Sequence, residues 1–365
     1  MPLMRINIGP IHPSTHGVLR FVLDVDGDTV KKVETHIGFL HRGVEKLMET
    51  RMYMQNPSYT EKLDYASPLS WDELYVAAVE KAIGIEVKEA AQYARVILLE
   101  LQRIANHLFW MGTMCTDIGQ MFTVYSWAFR DRSKVLRVLE EVAGTRMFYV
   151  NIRYGGLQRQ LPSTFKDSVY NVADYIEKRM GEYKDIIDDN SVFMERTKGV
   201  GTLSRDDAIA HGVSGPVLRG SGVEEDVRKS APYYIYDKLR FRIPTGSNGD
   251  SYDRYKVRYD EILESISIIR QALSMMPENG DVVGMPIKLI GPNARPDTVI
   301  MRREVPKGEG LIYLIPDKQR PYRISLRSPA FVNLSALPKM AEDQKFMDFF
   351  SILGSIDIVV AEVDR

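Results

Sequence analysis

The fold is decided by residues 88–113, KEAAQYARVILLELQRIANHLFWMGT, the longest helical pattern in the chain. Apolar side chains recur there at every third or fourth position and cover a broad face, which is typical of a helix buried on several sides. Further long helical patterns span 71–83, 129–142, 164–187 and 255–275. The sequence therefore predicts a helical bundle with about five main members.

Strand-like alternation appears on both sides of this bundle in the sequence. Residues 5–35 alternate apolar and polar side chains around the turn Asp26-Gly27-Asp28, which predicts a small antiparallel hairpin sheet. Helical spacing follows over 36–51, and β-like patterns return at 310–314 and 322–326. The expected fold class is mainly α with a small N-terminal antiparallel β-sheet.

Composition and charge restrict the functional class. The 365 residues include 48 basic and 49 acidic side chains without a long run of either sign, which argues against generic nucleic-acid binding. Cys115 is the single cysteine, so the chain forms no internal disulfide and by itself holds no cluster or structural zinc. Residues 1–20 lack a secretory signal, and no stretch approaches the ~20 apolar residues of a membrane span. We expect a reducing compartment and, at most, peripheral membrane association.

Residues 9–17, GPIHPSTHG, carry His12 and His16 in a segment that its prolines and glycines prevent from being helical. One interpretation is a tight loop that projects His16 into a cavity, where the imidazole donates a hydrogen bond and a proton to a substrate oxygen. The other interpretation is that both histidines are structural loop residues.

Two further positions carry groups that could handle protons. Tyr65 follows Asp64 just before a helix whose start is predicted at Ser70 and Glu73 as a capping box. Its phenol either donates to a substrate carbonyl or is a buried, hydrogen-bonded tyrosine. Asp117 ends the long apolar helix, where a carboxylate is unfavourable against the helix dipole unless a cation accompanies it. Otherwise it is a surface carboxylate in a turn.

Cationic side chains interrupt otherwise apolar stretches. They are either snorkelling surface residues or cations that face an electron-rich cofactor supplied by a neighbouring chain. Positive charges beside an iron–sulfur cluster raise its reduction potential. The residues concerned are Arg42, Arg51, Lys62, Arg146 and Arg153.

Two matched segments lack the cysteines that their layout suggests. Residues 61–67 have the spacing of a nickel-binding R-x-C-x-x-C segment, and residues 357–365 that of D-P-C-x-x-C-x-x-R. Nickel sites of this kind need thiolate ligands, so the chain is not expected to bind nickel. The four cysteine positions are taken by Asp64, Ser67, Val359 and Glu362.

Motifs that occur in order along nearly the whole chain resemble the 49 kDa-type (D) subunit of complex I-type NADH:quinone oxidoreductases, the homologue of the nickel–iron hydrogenase large subunit. Beside the loop 9–17 and the pair Asp64-Tyr65, they are HIGFLHRGVEK at 36–46, AVEK at 78–81, DIG at 117–119, IRYGG at 152–156, SGVEEDVRK at 221–229, GDSYDR at 249–254 and VDR at 363–365.

The resemblance implies a hydrogenase large-subunit-like helical bundle that reduces quinone where nickel sat in the ancestor. It implies that His16 and Tyr65 hydrogen-bond the two ends of the quinone headgroup and that Asp117 pairs with His16. The chain would hold no metal, and the small cluster-bearing B subunit would present the terminal 4Fe-4S cluster. Arg42 and Lys62 would lie near that cluster.

The resemblance also implies an organisation and a setting. We expect an N-terminal β-rich layer over 1–60, a bundle over 61–280 with an interface loop at 200–253, and a C-terminal α+β segment over 281–365. The enzyme would be an NAD(P)H:quinone oxidoreductase-type translocase, active only in a complex at the cytoplasmic face of the cell membrane. Its other partners would be subunits C and I of the peripheral arm and membrane subunits H and A.

Two departures from the family pattern lie near the expected cluster. Lys62 stands where arginine is common, and Phe148 stands where many members carry a histidine that couples cluster potential to pH. We hypothesise a cluster of lower potential that titrates less with pH, which suits a menaquinone-like acceptor. NADH, ferredoxin and reduced deazaflavin stay open as donors. The competing functions are a catalytically silent scaffold and a membrane-bound hydrogenase large subunit.

Overall fold

The computed structural model describes residues 3–119, 121–278, 280–285 and 297–365. Its helices are α1 Val44–Thr50, α2 Pro57–Thr60, α3 Pro68–Ile83, α4 Glu89–Gly119, α5 Phe122–Ala143, α6 Phe165–Asp188, α7 Ser191–Glu195, α8 Arg205–Ala210, α9 Gly215–Gly220, α10 Val227–Ser230, α11 Ser251–Met275, α12 Pro329–Leu334, α13 Leu337–Ala341, α14 Asp348–Ile356 and α15 Val360–Val363. Its strands are β1 Met4–Ile8, β2 Arg20–Asp26, β3 Thr29–His36, β4 Ile152–Arg153, β5 Gly156–Leu157, β6 Val299–Val305, β7 Gly308–Pro316 and β8 Pro321–Arg327.

The predicted fold class is confirmed, and helix α4 forms the centre of the bundle. Its 31 residues extend over about 46 Å, and most are buried on every side of the helix. Helices α5, α11 and α14 pack against it. Gly112 permits the approach of α5, because a Cβ atom there would lie 3.1 Å from Cβ of Ala128. The helix continues six residues beyond the predicted end at Thr113, which places Asp117 in its last turn.

The helix that precedes α4 begins earlier than predicted. Pro68 occupies its first turn, Ser67 is the N-cap residue, and the capping box expected at Ser70 and Glu73 is wrong. The Ser70 hydroxyl instead accepts a hydrogen bond from Nε2 of Gln102 at 2.5 Å. A buried contact between helices α3 and α4 thus replaces the local cap.

The helix predicted over 36–51 is also shorter than expected. Strand β3 continues to His36, and only Val44–Thr50 is helical. Gly38 and Gly43 have φ values of 105° and 62°, which a right-handed helix does not allow. Residues between β3 and α1 therefore form a loop that is free to contact a distant segment.

The N-terminal sheet is three-stranded and antiparallel, in the order β1-β2-β3. Asp26 pairs with Thr29 across the predicted turn. Beyond β3, the sheet connects to a segment far along the chain, because the Val30 N–H donates to the Gln344 carbonyl at 2.8 Å. The apolar face of this sheet shares a hydrophobic cluster with α12, α13, α14 and α15. The first and last parts of the chain are thus packed together.

The second three-stranded sheet has the order β6-β7-β8 and confirms strands at both predicted C-terminal positions. Val305 pairs with Gly308, so Pro306 and Lys307 form a two-residue turn between β6 and β7. This turn is directed into the bundle, since Lys307 is completely buried.

The segment 200–253 carries α8, α9 and α10 and buries several of its arginines within the chain. Nη2 of Arg219 lies 2.6 Å from the Glu261 carboxylate, and Nη1 of Arg228 lies 3.0 Å from Glu100. The three-part division of the chain stays a prediction, and residues 286–296 of its last part lie outside the described residues. Among the described helices, none is both long enough and apolar enough to cross a membrane.

Candidate functional site

The loop that carries His16 is held firmly against the C-terminal helices. A short 3-10 helix, Pro13–Thr15, ends at His16, whose backbone is left-handed at φ 55° and ψ 31°. Nδ1 of His12 accepts a hydrogen bond from the Ser14 N–H at 3.2 Å, and the His12 ring stacks on Phe350. His12 is therefore fixed within the loop structure.

Gly17 brings this loop into close contact with helix α15. Its φ is +143°, and a Cβ atom there would lie 2.7 Å from a methyl group of Val360. Any larger residue would push the loop away from the helix. This contact helps to set the position from which the neighbouring His16 side chain reaches α4.

His16 and Asp117 form the pair that the resemblance implied. Nε2 of His16 lies 2.6 Å from Oδ2 of Asp117, and both side chains are mostly buried. Asp117 lies in the last turn of α4, where the helix dipole disfavours a carboxylate, so a proton-bearing partner stabilises it. Gly354 of α14 lies beside the pair, since its Cβ position is 3.7 Å from Oδ2 of Asp117.

Tyr65 is exposed at 42% of its surface, and no side chain among the described residues forms a hydrogen bond with its hydroxyl. Partial burial raises the pKa of Tyr65, and the charge of Asp64 raises it further, whereas the charge of Lys307 lowers it. The phenol therefore keeps its proton at neutral pH and is free to donate a hydrogen bond.

Asp64, the neighbour of Tyr65, is completely buried and held by several donors. Its Oδ1 accepts from the Ala66 N–H at 2.9 Å, while Oδ2 contacts the Ser67 hydroxyl and lies 2.9 Å from Nζ of Lys307. A buried carboxylate needs such partners, because its desolvation otherwise costs several kcal/mol.

All four positions expected to correspond to nickel-site cysteines are buried. Glu362 accepts hydrogen bonds from Trp71 Nε1, the Ser328 hydroxyl and the Ala330 N–H, each at 2.9 Å. Burial raises the pKa of Glu362 to about 7, and the charge of Asp64 contributes to the rise. Three of the four positions therefore carry oxygen atoms and Val359 carries an apolar side chain, whereas a nickel site would need thiolates.

Two residues at this centre, Lys307 and Asn106, were missed by sequence reasoning. Nζ of Lys307 donates to Oδ1 of Asn106 at 2.7 Å. Lys307 lies in a hairpin turn, a position that is usually exposed to solvent, so its burial has no local signal. Asn106 is a polar residue on the apolar face of α4, and that mismatch could have marked it.

The surroundings of His16 and of Tyr65 both include residues at the end of α14. Gly354 contacts Asp117, the partner of His16. Three residues later, Oδ2 of Asp357 accepts from Nδ2 of Asn106 at 3.0 Å, and the Asp357 charge acts on Tyr65. The end of α14 is therefore connected to His16 through Asp117, and to the neighbour of Tyr65, Asp64, through Lys307.

Arg42 and Lys62, the two cations predicted to lie near a partner's cluster, are both exposed. Nη2 of Arg42 donates to the Ala361 carbonyl at 3.0 Å. Nζ of Lys62 donates to the Ser58 carbonyl at 2.8 Å and lies 5.2 Å from the centre of the Phe148 ring. The two residues predicted to depart from the family pattern are thus in contact with each other.

Two of the other interrupting cations, Arg146 and Arg153, lie near carboxylates of the same chain. Nη1 of Arg146 lies 2.9 Å from the Glu140 carboxylate, in agreement with an ordinary surface position. Nη1 of Arg153 lies 4.0 Å from the buried Asp72 carboxylate. Arg51 lines an open cavity with Arg153.

Metal-ligating side chains do not cluster in the part of the chain that the structure describes. No group of three or more His, Cys, Asp or Glu side chains within residues 3–119, 121–278, 280–285 and 297–365 could hold a metal ion. Burial raises the pKa of the Cys115 thiol, so this cysteine is kept protonated.

Comparison with known proteins gives a consistent result. The family described as "Respiratory-chain NADH dehydrogenase, 49 Kd subunit" matches residues 117–295 and 285–365. A protein of Dehalococcoides mccartyi, named as the D subunit of NADH-quinone oxidoreductase, is 45% identical over 99% of this chain and 98% of its own length. Proteins of the same name from Geotalea uraniireducens and Bacillus cereus are 43% and 41% identical over at least 99% of this chain and 98% of their own lengths.

Proposed function

Since the chain belongs to the 49 kDa subunit family of respiratory-chain NADH dehydrogenases, we propose that it forms the quinone-reduction site of a proton-translocating complex I-type oxidoreductase. The pairing of His16 with Asp117, at 2.6 Å, is the observation that carries this proposal. An imidazole backed by a carboxylate and a phenol with a free hydroxyl are suited to deliver two protons to one substrate.

The hydrogen bond to Asp117 decides which nitrogen of His16 faces the substrate. Because Nε2 is engaged by the carboxylate, Nδ1 is the atom left to donate to a quinone oxygen. In the imidazolium form both nitrogens carry protons. Transfer from Nδ1 to the quinone then leaves a neutral ring that still donates from Nε2 to Asp117.

Tyr65 supplies the second proton in this proposal, to the other quinone oxygen. The quinone takes up two electrons and two protons to become the quinol. A 4Fe-4S cluster held by the small partner subunit would deliver the electrons. The phenolate left on Tyr65 would stand next to the Asp64 carboxylate, so reprotonation of the phenol is strongly favoured. This change of charge is our proposed trigger for proton translocation by membrane partners.

The accessible cations fit such a cluster. Arg42 and Lys62 both keep donor groups at the surface, where they can offset negative charge on a neighbouring cluster and raise its potential. We propose that Arg42 tunes the cluster and that Lys62, without the planar fork of arginine, does so more weakly. A menaquinone-like acceptor of low potential suits that arrangement.

In this proposal the chain acts within a complex at the cytoplasmic face of the cell membrane. The small B subunit would carry the cluster, subunits C and I would complete the peripheral arm, and membrane subunits H and A would border the quinone channel. His16 and Asp64 are held by partners within the chain, so Nδ1 of His16 and the Tyr65 hydroxyl stay available to a ligand that enters from such a channel.

The test is Tyr65→Phe in the assembled complex. The change removes the hydroxyl and keeps the ring, so we expect quinone reduction to fall about 100-fold while subunit content and the dithionite-reduced cluster signal stay unchanged. Tyr322→Phe, which alters an exposed tyrosine of β8, is the matched control. Full activity of Tyr65→Phe would favour the catalytically silent scaffold.

The hydrogenase alternative is opposed by the groups in the pocket. Asp64, Ser67 and Glu362 offer oxygen atoms, and the Lys307 ammonium lies 2.9 Å from Asp64, where a second cation would be repelled. Elemental analysis of the purified complex should give far less than one nickel atom per chain. Stoichiometric nickel would support a hydrogenase.

A further inference from the structure

Lys307 is carried into the interior by the turn between β6 and β7. The tip of this hairpin is tightly enclosed, because a Cβ atom on Gly215 would lie 2.3 Å from Cα of Gly308. The Lys307 carbonyl accepts a hydrogen bond from Nδ2 of Asn333 at 3.3 Å, and the same amide donates to the Ser214 carbonyl at 3.2 Å. The backbone of the turn is therefore fixed from two directions.

The ammonium of Lys307 has three oxygen neighbours. Nζ lies 2.9 Å from Oδ2 of Asp64, 2.7 Å from Oδ1 of Asn106 and 3.7 Å from Oδ2 of Asp357. The contact with Asn106 is a hydrogen bond, and the contacts with the two carboxylates are ion pairs. Asn106 also donates to Asp357, so the amide connects the two carboxylates around the same cation.

The ammonium of Lys307 balances much of the negative charge in the pocket. Burial alone lowers the pKa of Lys307, but the charges of Asp357, Asp64 and Glu362 outweigh it and raise the pKa above its ordinary value. The side chain is therefore a permanent cation among three buried carboxyl groups. Without it, the buried Asp64 carboxylate would lose the one cation that lies within 4 Å of it among the described residues.

We propose that Lys307 is a positioning residue of the quinone-reduction site: its ammonium is the resident cation of the pocket and, by holding the Asp64 carboxylate, fixes Tyr65 in its reacting position. This inference rests on the proposed function. The connection is covalent as well as electrostatic, because Tyr65 directly follows Asp64 in a turn whose Ala66 N–H and Ser67 hydroxyl also bind that buried carboxylate.

The test is a double-mutant cycle of Lys307→Met and Tyr65→Phe in the assembled complex. Because Lys307 acts through Tyr65, we expect Lys307→Met alone to lower kcat at least tenfold. The double variant should be no slower than Tyr65→Phe, to within about threefold. Asp131→Asn, which alters a buried carboxylate between α5 and α6, controls for general destabilisation.

Three outcomes separate the two hypotheses. Losses that multiply in the double variant, or a Lys307→Met complex with near-normal kcat, would overturn the role of Lys307 while leaving that of Tyr65 intact. Full activity of Tyr65→Phe would overturn the proposed function itself. If the Lys307→Met complex fails to assemble, the same cycle with Lys307→Gln tests the role of Lys307. The amide of this glutamine can still bind Asp64 but carries no charge.

Discussion

Lys62 and Phe148, the two residues predicted to depart from the family pattern, are brought together by the structure. Nζ of Lys62 lies 5.2 Å from the Phe148 ring centre, in a cation–π contact. Phe148 has a left-handed backbone at φ 54°, a conformation that histidine adopts more readily than phenylalanine. The backbone at this position would therefore accept a histidine readily, whereas the apolar ring that stands there cannot take up a proton.

Phe148→His should restore a pH-dependent cluster potential. A histidine that binds one proton for each electron would shift the reduction potential of the cluster by up to about 60 mV per pH unit near its pKa. In the unaltered complex, this potential should change much less with pH. Redox titration of the cluster signal between pH 6 and 8 measures both. Phe148→Leu is the control that keeps the position apolar. A steep slope in the unaltered complex would contradict our hypothesis.

Glu362 makes stability depend on pH in a direction unusual for a carboxyl group. Burial, with the charge of Asp64, raises its pKa from the ordinary 4.5 to about 7, although Lys307 and the hydrogen-bond donors oppose the rise. The folded state therefore keeps a proton that the unfolded chain releases. This contribution to stability is complete below pH 4.5 and is lost as pH rises to about 7.

Glu362→Gln should remove that dependence. As pH rises from 5 to 8, the variant should gain stability relative to the unaltered chain by on the order of 1–3 kcal/mol. The thermal midpoint of the assembled complex, measured across this range, is the observable. Glu177→Gln, on an exposed part of α6, should keep the original slope. Identical slopes for the Glu362 variant would show that Glu362 does not titrate there.

Among the elements, the β6-β7 hairpin matters most for the site. Its turn delivers Lys307 to Asn106 of α4 and to Asp64, which precedes α3. The position of each element is also set by other contacts, because α3 and α4 pack together and the hairpin belongs to a separate sheet. The site therefore forms only after all three have assembled.

Gly215→Ala should displace this hairpin. The φ of Gly215 is +66°, and its new Cβ would lie 2.3 Å from Gly308, so the turn must move and draw Lys307 away from Asp64. We expect the free energy of unfolding to fall by about 3 kcal/mol or more, and the rate of quinone reduction to fall at least tenfold. Gly27→Ala is a matched control, because φ there is +62° with nothing within 4 Å. Gly27→Ala should lower the free energy of unfolding by only about 1 kcal/mol. Equal effects of the two substitutions would show that backbone strain, and not the close contact with Gly308, causes the loss of stability.

At the scale of the whole molecule, the loop between β3 and α1 closes onto the end of the described chain. Oδ1 and Oδ2 of Asp364 accept hydrogen bonds from the N–H groups of Gly38 and Leu40, each at 2.7 Å. Arg42 binds the Ala361 carbonyl in the same region. The conformation of this loop, and with it the position of Arg42, therefore depends on residues more than 300 positions away.

Asp364→Ala should release the loop. Two charge-assisted hydrogen bonds are lost, so we expect roughly 3 kcal/mol less local stability. Amide hydrogen exchange over residues 37–43 should accelerate accordingly, while exchange in α4 stays slow. Asp174→Ala, which breaks an exposed ion pair with Arg270, is the control and should change little. Unchanged exchange in 37–43 would mean that other contacts hold the loop.

Periodicity alone determined much of this architecture. The apolar faces of 88–113 and 164–187 predicted helices that the structure confirms to within a few residues at most ends. Helices are set by local spacing, so the sequence contains the information directly. The helix predicted over 36–51 was mostly wrong, because Gly38 and Gly43 favour backbone conformations that side-chain spacing does not reveal.

Only the tertiary structure decided the composition of the candidate site. The residue types at 16, 65 and 117 and the missing cysteines could be read from the sequence, but their roles stay proposals. The contact of His16 with Asp117 joins residues 101 positions apart, and that of Lys307 with Asp64 joins a hairpin turn to the start of a helix. No local pattern marks a turn that enters the interior. Burial of a lysine is favourable only when several distant carboxylates meet it, and that requirement is met by packing and not by any segment alone.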